Sequence, residues 1–76
     1  MLDFDDWYRA AHPRLLASML LLTGGLDEAR EVTDEAFARA YERWDRVAAM
    51  DAPGGWTYRV AVTSASVSSP RASTWG

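Results

Sequence analysis

The sequence predicts an all-α protein, a small bundle of three to four helices that is followed by a disordered serine-rich tail. The chain has 76 residues, of which 49% are hydrophobic, so one small domain with an apolar core is expected. Apolar side chains recur at helical spacing in several segments, and glycine and proline residues separate these segments. Together these observations predict helices over approximately residues 4–11, 13–23, 27–45 and 54–63.

The first helix is predicted to begin after Asp3, whose side chain can cap it, with Asp6 three residues further on. A stripe at helical spacing follows, formed by Phe4, Trp7, Tyr8 and Ala11. Pro13 lacks the N–H that would bond to the carbonyl of Arg9, so a break in the helix is predicted around residues 11–13.

Residues 15–22, Leu-Leu-Ala-Ser-Met-Leu-Leu-Leu, are apolar on nearly all sides. A membrane-spanning helix needs about 20 residues, so this short segment is predicted to be a central core helix and not a membrane helix. It also lacks the position and the cleavage pattern of a secretory leader. Thr23-Gly24-Gly25 is predicted to end the helix, because glycine is the usual residue just after a helix C-terminus.

Residues 27–45 show the clearest helical pattern of the chain. At about 100° per residue, one arc of this helix is apolar and contains Ala29, Val32, Ala36, Phe37, Ala40, Tyr41 and Trp44. The opposite arc is acidic, with arginines at its borders, and contains Glu31, Asp34, Glu35, Glu42 and Asp45. The i,i+4 pairs Glu35/Arg39 and Glu42/Arg46 favour the helix, whereas Glu31 faces two like charges. The acidic arc is therefore either a solvated surface or a surface that binds a partner.

Residues 45–55 are predicted to form a loop, since they contain Asp51, Pro53 and a glycine pair. In the helix that follows, Trp56, Val60 and Thr63 share one face. From residue 63 onward the sequence is rich in serine and has little apolar surface to bury. Residues 1–62 are therefore predicted to be the folded domain, and residues 63–76 a flexible tail.

The composition argues against several functional classes. The chain contains no cysteine, which rules out disulfides and thiolate zinc sites and fits a cytoplasmic protein. His12 is the only histidine, and no set of ligands or of catalytic side chains accompanies it. No catalytic residue, metal site or cofactor is predicted, and the chain is predicted not to be an enzyme. A net charge of −3 disfavours nonspecific binding to nucleic acid.

Three blocks of the sequence match one protein family in order and spacing. Phe4-Asp5-Asp6-Trp7-Tyr8, followed by His12-Pro13-Arg14-Leu15-Leu16, is similar to an aromatic-rich helix with a Tyr/His-Pro-Arg-Leu step. Residues 24–41 are similar to a signature helix, on which five positions fall directly: Ala29, Glu35, Phe37, Arg39 and Ala40. Residues 53–61, Pro-Gly-Gly-Trp-Thr-Tyr-Arg-Val-Ala, are similar to a Pro-x-x-Trp-Leu-Tyr-Arg-Ile-Ala block. Over residues 3–62 the chain thus resembles region two of the extracytoplasmic-function sigma factors of bacterial RNA polymerase.

The resemblance implies partners for two surfaces. The signature helix would lie against the clamp helices of the polymerase β′ subunit, and the polymerase-binding candidates are Glu31, Asp34, Glu35, Ala38, Arg39 and Glu42. The loop over residues 47–55 would hold a base flipped out of the promoter minus-ten element, and the next helix would contact the nontemplate single strand. The DNA-binding candidates are Asp51, Tyr58 and Arg59, whereas Trp56 is expected in the core. An anti-sigma factor is a further partner that the resemblance implies.

Departures from the family pattern leave three functions open. The family's Ala-Glu-Asp reads Ala29-Arg30-Glu31 here, and the basic segment that follows the last block is replaced after Val62 by the serine-rich tail. That change is interpreted as a truncation or a frame change. The chain is predicted to be a sigma-like transcription initiation domain, or a competitor or adaptor that binds polymerase without opening promoters. The alternative is a helical interaction or dimerisation module, since apolar surface left by a missing helix favours self-association.

Overall fold

The computed structural model of the chain describes the backbone of residues 2–68 and the side chains of residues 2–65. It confirms the all-α fold, because the described residues form helices and no strand. The helices are α1 (Phe4–Thr23), α2 (Leu26–Glu42), α3 (Trp44–Val47) and α4 (Pro53–Ser68). Helices α1 and α4 each pack mainly against α2 and contact one another less extensively.

Helix α1 is continuous from Phe4 to Thr23, so the predicted break around residues 11–13 is wrong. Apolar residues on both sides of Pro13 form one stripe that packs against α2, and this packing outweighs the single backbone bond that the exposed proline removes. The predicted cap is confirmed, since the backbone N–H of Asp6 donates to Asp3 Oδ2 at 3.2 Å. The predicted end is also confirmed, because Gly24 has φ 79° and its N–H donates to the carbonyl of Leu20.

Residues 15–22 were predicted to form a central core helix. This prediction is wrong, because only one side of the segment is buried. Leu15 and Met19 are buried, whereas Leu21 is 89% exposed and Leu22 is 53% exposed. The other helices cover only one side of α1, so the leucines on its far side stay in contact with water.

Helix α2 confirms most of its predicted apolar arc. Ala29, Val32, Ala36, Phe37 and Ala40 are all buried. Thr33, which the sequence analysis assigned to neither arc, is buried beside them. Tyr41, in contrast, is 66% exposed.

The helix ends at Glu42, not at residue 45, because Arg43 leaves the helical conformation with φ −118° and ψ 31°. The short helix α3 then turns the chain and buries Val47. The i,i+4 geometry expected for Glu42 and Arg46 is lost at this turn, and the described residues contain no ion pair between them. Trp44 is half-buried, and its indole N–H donates to the carbonyl of Leu2 at 3.3 Å.

Helix α4 begins at Pro53 and continues to Ser68, five residues beyond its predicted end. Its buried positions are Thr57, Ala61 and Ala65, not the predicted face of Trp56, Val60 and Thr63. These three small side chains follow an i,i+4 spacing and let α4 approach α2 closely. The hydroxyl of Thr57 donates to the carbonyl of Pro53 at 2.8 Å, which satisfies a buried polar group. The part of the predicted tail beyond residue 68 lies outside the described residues.

An aromatic cluster joins the beginning of α1 to the end of α2. Phe4 lies 5.1 Å from Trp44 and 5.1 Å from Tyr41 between ring centroids, both edge-on. Deeper in the bundle, Phe37 lies 5.2 Å from Trp7 and 4.9 Å from Tyr8. Such contacts stabilise a small domain beyond the burial of apolar area, because an edge-to-face arrangement, as between Phe4 and Trp44 or Phe37 and Tyr8, places the positive edge of one ring against the negative face of another.

Candidate functional site

The structure places all six polymerase-binding candidates on one exposed side of α2. We call this side the acidic face, and it consists of Glu31, Asp34, Glu35, Ala38, Arg39 and Glu42, all of which are exposed. Helical geometry puts them within an arc of about 140°, and the buried residues of α2 occupy an opposite arc of about the same width. The helix thus faces the core with one side and solvent with the other.

One carboxylate of the acidic face pairs with a guanidinium, and another lies near an imidazole. Glu35 Oε2 accepts a hydrogen bond from Arg39 Nε at 2.8 Å, the i,i+4 pair that the sequence predicted. Both side chains of this pair are about half exposed, so solvent screening leaves it a contribution of only a few tenths of a kcal/mol. Asp34 Oδ1 lies 3.6 Å from His12 Nε2 on α1. The side chains of Glu31 and Glu42 have no ion-pair partner among the described residues.

One edge of the acidic face borders a groove between α2 and α4. The groove has a volume of about 650 Å³, and Glu31, Glu35 and Arg39 contribute to its wall on α2. Trp56, Arg59 and Val60 contribute to the wall on α4. Trp56 is half-buried on this groove and does not belong to the hydrophobic core, so the expectation that it lies in the core is wrong. The acidic face is therefore continuous with a groove whose wall on α4 carries one charged residue, Arg59.

The three DNA-binding candidates do not meet at one site. Arg59 lines the groove between α2 and α4, whereas Tyr58 lines a different cleft, between α1 and α4. Asp51 is exposed in the segment that precedes α4 and lines neither space. Adjacent residues on a helix point about 100° apart, which explains why Tyr58 and Arg59 face different neighbours.

A cleft between α1 and α4 was not foreseen from the sequence. It has a volume of about 330 Å³ and is lined by residues of three helices, among them Trp7, Arg14, Phe37 and Tyr58. No spacing pattern within one segment could indicate it, because its residues meet only when α1 and α4 pack on either side of Phe37. The contact between His12 and Asp34 was not predicted either, because these two residues lie on different helices and meet only when α1 packs on α2.

Within residues 2–68, no group of three or more His, Asp or Glu side chains is placed to bind a metal ion. None of the helices in this part of the chain is long and apolar enough to cross a membrane.

Comparison of the chain with protein-family models, with curated protein sequences and with solved structures gives no match. The resemblance to a sigma factor therefore rests on the three sequence blocks alone.

Proposed function

We propose that the chain is a sigma-like region-two domain that binds the RNA polymerase core in the cytoplasm. The acidic face of α2 would lie against the clamp helices of the β′ subunit. One observation carries this proposal: all six candidate residues are exposed on one side of a helix whose opposite side is buried in the core. A partner can occupy this face without any change in the fold of the domain.

The chemistry of the acidic face favours a protein partner with basic side chains. Glu31 and Glu42 are exposed carboxylates without a cationic partner among the described residues. Intramolecular pairing therefore does not explain why acids are concentrated on this side of α2. Exposed charges of this kind steer association and select partners of opposite charge, and they contribute less to affinity than buried contacts do.

A competitor or adaptor of polymerase is the second candidate function, and the arrangement of α4 favours it. Arg59 is the only basic residue of α4, and Tyr58 faces a different space. A surface that follows a DNA strand needs several cationic groups along the backbone together with aromatic side chains for stacking. The described part of α4 offers one arginine and two aromatic residues, of which Trp56 lines the same groove as Arg59 and Tyr58 does not. Such a chain would occupy the clamp and open no promoter.

Binding to core polymerase tests the proposal. We expect the fluorescently labelled chain to bind core polymerase saturably, with an affinity that falls as salt is raised, because charged groups meet at the contact. If the chain stays helical by circular dichroism and binds no polymerase, both polymerase functions are excluded. If the folded chain binds no polymerase and sedimentation shows a dimer, the interaction module is favoured instead, since the exposed leucines of α1 offer an apolar contact.

Fluorescence anisotropy with a minus-ten single strand separates the two polymerase functions. We expect the isolated chain to bind this strand weakly or not at all, because α4 carries a single arginine to pair with phosphates. Tight binding that persists at high salt, and that Arg59→Gln weakens, would favour an initiation domain over a competitor or adaptor.

A further inference from the structure

The cleft between α1 and α4 has the composition of a ligand site. Phe37 and Leu15 are buried and form its floor, and Trp7 is a half-buried wall residue. The exposed Tyr58 and Arg14 stand at its rim. Small-molecule sites in proteins are concave, mostly apolar and aromatic, and contain a few polar groups that orient the ligand. A volume of about 330 Å³ lies at the lower end of the range for such sites.

Small residues keep the cleft open. Ala10, Ala11 and Ser18 line it on α1, and Gly54 lines it on α4. A methyl group at Gly54 would meet no other atom within 4 Å, so the space beside this residue is free.

The charge of the cleft is opposite to that of the protein. The chain has a net charge of −3, yet among the described residues no carboxylate lines this cleft, and Arg14 is the one charged residue that does. Arg14 forms no ion pair with any of the described side chains. An arginine in this position can bind a carboxylate or phosphate through two parallel hydrogen bonds and can stack on an aromatic plane.

We infer that the cleft between α1 and α4 binds a small planar aromatic anion. The ring of the ligand packs against Trp7 and Tyr58, and its carboxylate or phosphate group pairs with Arg14. This site is separate from the acidic face, whose residues do not line the cleft. The inference is independent of polymerase binding, and either can fail without the other.

Titration of the full, isotopically labelled chain with two probes tests the inference. Adenosine 5′-monophosphate carries a phosphate, and indole-3-acetate carries a carboxylate. We expect at least one of them to shift the amide signals of Gly54, Ala10 and Arg14 saturably, and uncharged adenosine to bind at least about tenfold more weakly than its monophosphate. The stronger probe identifies the source of the anion, a nucleotide or an aromatic acid.

Variants of α1 provide the controls. Arg14→Gln should weaken the stronger probe at least about tenfold, since a hydrogen bond to a charged group is lost. Arg9→Gln removes the same charge from an exposed position of α1 that does not line the cleft, and it should leave binding unchanged. Ala10→Leu should abolish binding by filling the cleft, and its circular dichroism should match that of the wild type. Equal losses with Arg9→Gln and Arg14→Gln, or no saturable shift with either probe at millimolar concentration, would overturn the inference.

Discussion

Replacing Phe37 with alanine is expected to lower the free energy of unfolding by about 3–5 kcal/mol. Phe37 is 3% exposed and contacts three rings of α1, with centroid distances of 5.2 Å to Trp7, 4.9 Å to Tyr8 and 5.5 Å to His12. The substitution removes the apolar burial and leaves a cavity between α1 and α2. Small domains have only about 5–15 kcal/mol of stability in total, so a large share of the chain should unfold.

Urea denaturation followed by far-ultraviolet circular dichroism measures this loss, and Tyr41→Ala is its matched control. Tyr41 also lies on α2 and contacts one ring of α1, but 66% of it is exposed. Its replacement should cost less than about 1 kcal/mol, as expected for exposed positions. Equal losses for the two variants would contradict the assignment of Phe37 to the core and of Tyr41 to the surface.

Reversing one charge on the acidic face is expected to weaken polymerase binding at least about tenfold, a loss of about 1.4 kcal/mol. Glu35→Arg removes a carboxylate from this face and places a second guanidinium beside Arg39, where the two cations repel each other. The stability of the fold should change little, because both partners of the original pair are about half exposed. Glu35→Arg should therefore lower the affinity for polymerase and leave the free energy of unfolding nearly unchanged.

Asp5→Arg is the matched control for Glu35→Arg. It makes the same change in charge at an exposed position in the first turn of α1, away from the acidic face. Thermal unfolding and titration with core polymerase should be measured for both variants. Equal weakening by the two would mean that net charge and not the acidic face governs binding. Destabilisation of the fold by Glu35→Arg, in turn, would contradict the division of α2 into a buried and an exposed side.

Local patterns predicted the features of this fold that depend on one segment at a time. The caps at Asp3 and Gly24 each need only a few neighbouring residues, and both are present. The buried side of α2 follows from the spacing of its apolar residues, because one helix lies on each flank of that side. The exposed side followed from the same periodicity.

The features that sequence reasoning missed depend on packing between segments. A proline predicts a break when the helix is considered alone, yet the stripe of α1 on both sides of Pro13 packs on α2 and keeps the helix intact. Leu21 has an apolar side chain that is typical of a core. It is exposed because the other helices cover only one side of α1. The cleft beside Arg14 arises from three helices and has no signal within any one of them.

Site-specific photocrosslinking tests the central claim of a free, partner-binding side of α2 most directly. A photoreactive phenylalanine at Ala38, which is exposed in the middle of the acidic face, should crosslink to the β′ subunit when core polymerase is added. The same group at Ala17, which is exposed on α1, should give no β′ product. Crosslinking to β′ from Ala17 and not from Ala38, or from neither position in a correctly folded chain, would contradict the assignment of the acidic face as the polymerase contact.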